Sequence, residues 1–113
     1  MRRPLRRTPR FVRVLGQRVG IRLIKDLTHE DAGSEPTPAY GVFDPAVPII
    51  WLDRPSGSER RKVTLVHECL HAMLSVAHIY GVDNEEELVG RLSPILLDFI
   101  RANRSTIMYL QES

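Results

Sequence analysis

Two hydrophobic rhythms divide the chain. Between Phe11 and Ile24, Val12 and Val14 alternate with Arg13, and Val19, Ile21 and Leu23 alternate with Gly20 and Arg22. A period of two belongs to a strand with one buried face, so "FVRVLGQRVGIRLI" predicts a β-hairpin turning at Gly16-Gln17. The polar stretch 26–38, rich in Pro and Gly, predicts a loop. "AYGVFD" and "VPIIWLD" are two further short strands, split by Asp44-Pro45. Pro45 and Pro48 place this pair toward a sheet edge, because proline cannot donate to a ladder.

Past "DRPSGSE" the rhythm becomes helical. Ser58 is a suitable N-cap for a helix reaching about Tyr80 and stopped by Gly81. Advancing about 100° per residue gathers Val63, Val66, Leu70, Met73, Leu74 and Ala77 on one side, while Leu65, Cys69, Ala72, Val76 and Ile79 fall elsewhere. A helix apolar nearly all round belongs in the middle of a domain. A second helix starts at "DNEE", with Asp83 as N-cap and Glu86 three residues on in a capping-box arrangement. Its apolar stripe is Leu88, Leu92, Ile95 and Phe99, with Leu96 beside it, and Pro94 predicts a kink. "STIMYLQ" predicts a short final helix. Strands first and helices afterwards define an α+β fold: an N-terminal antiparallel hairpin and short edge strands packed on two helices.

Composition narrows the class. At 113 residues, 42% apolar and 27% charged, the chain has the make-up of one ordinary globular domain, read as 11–113 behind a basic arm at 1–10. No apolar run approaches the ~18 residues of a membrane span. One cysteine, Cys69, excludes an internal disulfide framework, which fits a reducing, cytoplasmic setting. Arg13 and Arg18 interrupt any signal-peptide core. The net charge of +2 hides an asymmetry: the first 25 residues hold nine basic residues and no acidic one. "MRRPLRRTPR" is therefore a candidate nucleic-acid contact, with a solvated terminus as the simpler alternative.

Chemistry concentrates in "VTLVHECLHAML". His67 and His71 stand one turn apart on the first helix, so their ring nitrogens can converge on one ion at about 2 Å. Glu68, one residue past the first histidine, points to the side of that ion. A carboxylate there can act as general base toward a metal-activated water and carry its proton to a leaving amine. H-E-x-x-H on a helix is thus a unit suited to peptide-bond hydrolysis with Zn2+. Two hydrogen-bonded core histidines beside a solvated Glu68 form the alternative.

A third ligand must come from downstream. In the metzincin pattern a glycine follows the second histidine by three residues, but here that position is Leu74. On a straight helix His78 lies ~10 Å of rise beyond His71, too far to ligate. The acids Asp83, Glu85, Glu86 and Glu87 remain, although a helix's first turn favours carboxylates without any metal. Helical phase places Glu85 over the apolar stripe, Glu86 on its flank and Glu87 well away.

"HECLH" followed by "EEELVGRLSPILL" resembles the small gluzincin-type zinc metallopeptidases, particularly the ImmA/IrrE-like group and compact phage- or prophage-encoded relatives. The resemblance covers roughly residues 60–100 and departs from the family pattern at Val89, Gly90 and Pro94. It implies a zinc peptidase with His67, His71 and Glu86 as metal ligands and Glu68 as the catalytic base. It also implies a peptide or protein substrate held along an edge strand, "AYGVFD" or "PIIWL", by β-augmentation. Trp51 is then either a cleft wall or a core or hairpin aromatic. Tyr109, Tyr80 and His78 are candidate oxyanion donors, and His29 faces water in the polar loop. The alternatives are a non-enzymatic zinc-containing structural or regulatory protein and a nucleic-acid-binding factor using residues 1–10.

Overall fold

In the computed structural model, which describes residues 6–29 and 37–113, the hairpin forms as β1 (Phe11–Val14) and β2 (Gln17–Ile24). Its turn is Leu15–Gly16, one position before the expected Gly16-Gln17, with φ of 49° and 80°. A two-residue turn matched to the twist of its strands needs positive φ at both positions. Gly16 adopts it freely, and Leu15 does so with its side chain in solvent. β3 (Thr28–His29) and β4 (Thr37–Pro38) form a minimal antiparallel pair inside the expected loop. β5 (Gly41–Asp44) and β6 (Ile49–Asp53) complete a mixed sheet of order β1-β2-β6-β5.

Only half of the proline argument holds. β5 is an edge strand, but β6 lies inside the sheet, parallel to β2 and antiparallel to β5. Pro48 escapes the ladder by preceding β6, and its carbonyl accepts the Gly20 N–H at 3.1 Å. Val14, Val19, Ile21, Ile50 and Leu52 line one face of the sheet and form the core with Ala72 of α1 (Ser58–Val76). Leu65, Cys69 and Val76 pack around that cluster. The face of α1 that meets the sheet therefore runs Leu65-Cys69-Ala72-Val76, not along the stripe centred on Val66.

Both ends of α1 differ from expectation. Gly57 is the N-cap and Ser58 the first helical residue. The helix ends at Val76 rather than near Tyr80, because His78 takes the left-handed conformation at φ 56°. The His78 N–H then reaches the Ser75 carbonyl at 3.1 Å and the Ile79 N–H reaches the Leu74 carbonyl at 2.9 Å. This pair of bonds is a Schellman closure, with histidine where glycine is usual. Gly81 also has positive φ but lies beyond the finished helix.

α2 (Glu85–Ala102) is capped by Asn84 in the left-handed region, so the Asp83 capping box does not form. Pro94 sits inside α2, which continues as one helix to Ala102. The residues of α2 that are buried are Val89 and Ser93, and the Ser93 hydroxyl is satisfied by donating to the Val89 carbonyl. The expected inward stripe is turned outward: Leu88, Ile95 and Phe99 are about half exposed. α3 (Arg104–Gln111) packs on α2 and buries none of its residues. α1 and α2 run antiparallel. Arg101 near the end of α2 makes a two-pronged ion pair with Glu59 in the first turn of α1. That pair holds the Glu59 carboxyl below its usual range and raises the guanidinium, Arg101 first among the causes for Glu59. At an exposed site it is a minor contribution to stability. Among the described residues no helix is long and apolar enough to cross a membrane.

Burial, reinforced by the neighbouring Glu68 charge, pushes the Cys69 thiol up to about 11. The native thiol should alkylate at pH 8 far more slowly than the thiol of the denatured chain. Below the ordinary thiol range both folded and unfolded chains keep the proton. As pH rises from there through about 11, only the unfolded chain releases it readily, so stability falls. Urea midpoints across this interval should decline more steeply for the wild type than for Cys69→Ala.

Candidate metal centre

His67 and His71 project from the same side of α1 with their rings edge-to-face, centroids 4.9 Å apart. Their Nε2 atoms approach to 3.2 Å. Above them stands the first turn of α2, which the antiparallel helix pairing brings over the middle of α1. The Glu86 carboxylate spans both rings, with Oε1 2.8 Å from His67 Nε2 and Oε2 2.7 Å from His71 Nε2. Glu85 goes elsewhere: its Oε2 lies 2.7 Å from His71 Nδ1.

The two glutamates thus take different tasks. Helical phase pointed to Glu85 and the family resemblance to Glu86, and the geometry sets Glu86 alone against both Nε2 atoms. The reason is the true inward face of α2, which passes through Val89 and Ser93 rather than Leu92. Three residues of helix shift a face by about 60°, and that brings both acids within reach of α1. Among the described residues, His67, His71 and Glu86 form a group able to hold a metal ion, with donor atoms within 4.8 Å of one another. Two imidazoles and a carboxylate make a donor set that suits a divalent transition metal. With an ion held on Nε2, the Nδ1–H of His71 would donate to Glu85, an outer partner that fixes the ring.

Glu68 turns toward the sheet and is buried, with Oε1 4.0 Å from His67 Nε2. The alternative in which Glu68 is solvated does not describe this side chain. Its burial depends on Gly41 at the start of β5. A Cβ on Gly41 would lie 2.5 Å from Thr64 Cγ2 and 3.1 Å from Glu68 Cγ, so the edge strand crosses α1 closer than any side chain permits. Gly41 was not singled out from the sequence. A glycine inside a strand pattern is a recognised cue for close backbone approach, but it names no partner. Gly90 of α2 lies beside His67, where an added Cβ would meet the ring Cε1 at an ordinary 3.8 Å.

A cleft of about 760 Å³ opens beside Glu68 and His71, walled by Gly41, Val42 and Phe43 of β5 and by Tyr80 of the α1–α2 loop. Tyr80 is hydrogen-bonded to His78, 2.8 Å between Oη and Nδ1. His78 itself stands past the helix end and takes no place in the metal group. Tyr109, exposed on α3, does not line the cleft. Trp51 does not line the cleft: it is a hairpin aromatic, paired with Val42 of β5 and Arg22 of β2 on the face of the sheet away from the core. Glu87 pairs with Arg91 instead, at 3.8 Å. The backbone of His29 lies in β3, and its side chain is outside the described residues. Comparison with known proteins finds no match: no family model, no curated protein and no solved structure matches this chain.

Two substitution pairs test this geometry. Glu86→Gln should abolish one-to-one binding of a divalent metal, whereas Glu85→Gln should weaken it by about 10- to 100-fold, as loss of a histidine's outer partner does; isothermal titration separates the two. Gly41→Ala should lower the unfolding free energy by about 1–3 kcal/mol through overpacking, while Gly90→Ala should be neutral or stabilising by up to ~1 kcal/mol. Urea denaturation of both variants reads the difference.

Proposed function

We propose that this protein is a zinc-dependent metallopeptidase of compact gluzincin type. The observation that carries the reading is the Glu86 carboxylate set against the Nε2 atoms of both histidines of H-E-x-x-H, with Glu68 buried beside them. Zinc, when bound by His67, His71 and Glu86, supplies Lewis acidity to a scissile carbonyl and makes water acidic enough to deprotonate near neutral pH.

The chain's own groups do the rest. Glu68 takes a proton from the attacking water as its oxygen bonds to the carbonyl carbon. It returns that proton to the amide nitrogen as the C–N bond breaks, so the products are a carboxylate and an amine. Burial of Glu68 against Gly41 fixes its position. Of the three candidate oxyanion donors, Tyr80 is the one that lines the cleft, and its hydroxyl would have to leave His78 to act. The substrate backbone is held by β5. Tyr40 accepts from the Asp53 N–H at 2.8 Å, and antiparallel alternation then turns the polar groups of Gly41 and Phe43 to the outer edge. A peptide strand pairing there lies along the cleft, above Glu68.

The open cleft beside three converging ligands favours this reading over a purely structural zinc site, where a fourth protein ligand closes the coordination. The test uses zinc-loaded protein with fluorescein-labelled casein and a randomised peptide pool. Glu68→Gln should keep one zinc per chain and lose at least about 100-fold in hydrolysis. Full hydrolysis by Glu68→Gln, or none by zinc-loaded wild type on either substrate, would sink the peptidase.

A further inference from the structure

The sheet has a second face, turned away from α1. Along β1, β2 and β6, Val12, Val19, Ile21, Ile50 and Leu52 point to the core. Strand alternation therefore turns Phe11, Arg13, Arg18, Arg22 and Trp51 to the other side. Arg13 stands directly opposite Arg18 in the β1–β2 register, and Arg22 opposite Trp51 in the β2–β6 register. Like charges facing across strands are unfavourable. Both guanidiniums of the first pair lie over the Phe11 ring, at 5.6 and 4.0 Å from its centroid.

This face continues into a cleft of about 850 Å³ walled by Arg7, Arg10, Arg18, Arg22, Arg54 and Arg61, with no carboxylate in its lining among the described residues. Among the described residues none of these six arginines pairs with an acid. Three are held in place by backbone: Arg61 Nη2 donates to the carbonyls of Arg54 and Ser56, Arg54 Nη2 to that of Leu23, and Arg22 Nη1 to that of Ile21. The Arg61 Nε is buried without a partner. The acids that share the outer face, Asp44 and Asp53, each accept a backbone N–H at a strand end. The cleft shares no lining residue with the one beside the metal group.

Unpaired arginines flanking an indole and a phenyl ring on an open sheet suit one class of ligand, a phosphodiester chain with unstacked bases. We propose that this face binds single-stranded nucleic acid, with phosphates along the arginines and a base stacked on Trp51. The basic arm contributes through Arg7 and Arg10, while Arg18, Arg22, Arg54 and Arg61 belong to the folded domain.

Trp51 is the one tryptophan of the chain, so its fluorescence reports the site directly. Zinc-loaded full-length protein is titrated with 20-nucleotide oligo-dT and oligo-U, and with a DNA duplex of the same length. The single strands should quench Trp51 and bind with a log K against log[salt] slope of about −3 to −4, four to six phosphates at roughly −0.7 each. Arg18→Gln/Arg22→Gln, its fold checked by circular dichroism and zinc content, should lose at least about 10-fold in affinity and flatten the slope by about 1.4. Absence of quenching by either single strand, or equal affinity for the duplex, overturns the proposal. So does binding that survives in the double variant and disappears on deletion of residues 1–10.

Discussion

Everything at the metal group depends on the antiparallel pairing of α1 with α2. H-E-x-x-H supplies two imidazoles from one helix, and no residue of that helix can supply a third donor on the same side. The loop of residues 77–84 reverses the chain through left-handed residues at His78, Gly81 and Asn84, and it returns α2 with its first turn over the histidines. At the other end Arg101 meets Glu59, so the two helices are in register along their length. With the pairing fixed, adjacent glutamates fall on two nitrogens of one imidazole: Glu85 on Nδ1 and Glu86 on Nε2. Adjacent residues on a helix diverge by about 100°, so their side chains converge only because the His71 ring stands between them.

The second constraint is the contact of β5 with α1. Gly41 lets the edge strand lie against Thr64 and Glu68, which buries most of the Glu68 side chain and forms one wall of the cleft. The strand is at the sheet edge for the reason its flanking proline suggested, so one element delivers both a wall and an unpaired backbone. The opposite side of the same sheet owes its character to the same alternation. Each core residue of β2 is followed by glycine or arginine, and the buried rhythm of one face fixes the charge of the other.

How much of this was legible in the sequence follows from how local each feature is. The hairpin, the two main helices, the α+β class and the H-E-x-x-H geometry rest on spacings of a few residues, and periodicity reads those directly. The phase of α2 was misread because hydrophobicity was taken for burial. Leu88, Ile95 and Phe99 are large and apolar yet stand half in solvent, while the buried positions are Val89 and Ser93, smaller residues that admit close approach of α1. Pro94 marked an expected kink, but a missing N–H on a helix supported by its neighbour does not end it. The stop of α1 was assigned to Gly81 because glycine is the usual left-handed residue, and His78 took that conformation first. The role of Gly41 could not be read at all, since Thr64 and Glu68 are more than 20 positions away in sequence.

The parallel pairing of β2 with β6 carries a consequence for how the molecule assembles. Partners such as Gly20 and Ile49 are 29 positions apart, whereas the β1–β2 hairpin and both long helices form from neighbours in sequence. Closing a loop of that length costs entropy before any contact rewards it. β5 touches α1 directly at Gly41 and is held in the sheet by β6, so the wall beside Glu68 needs both the sheet and the helix in place. The histidines and glutamates can meet as soon as the two helices dock, whereas the cleft beside them needs the sheet as well.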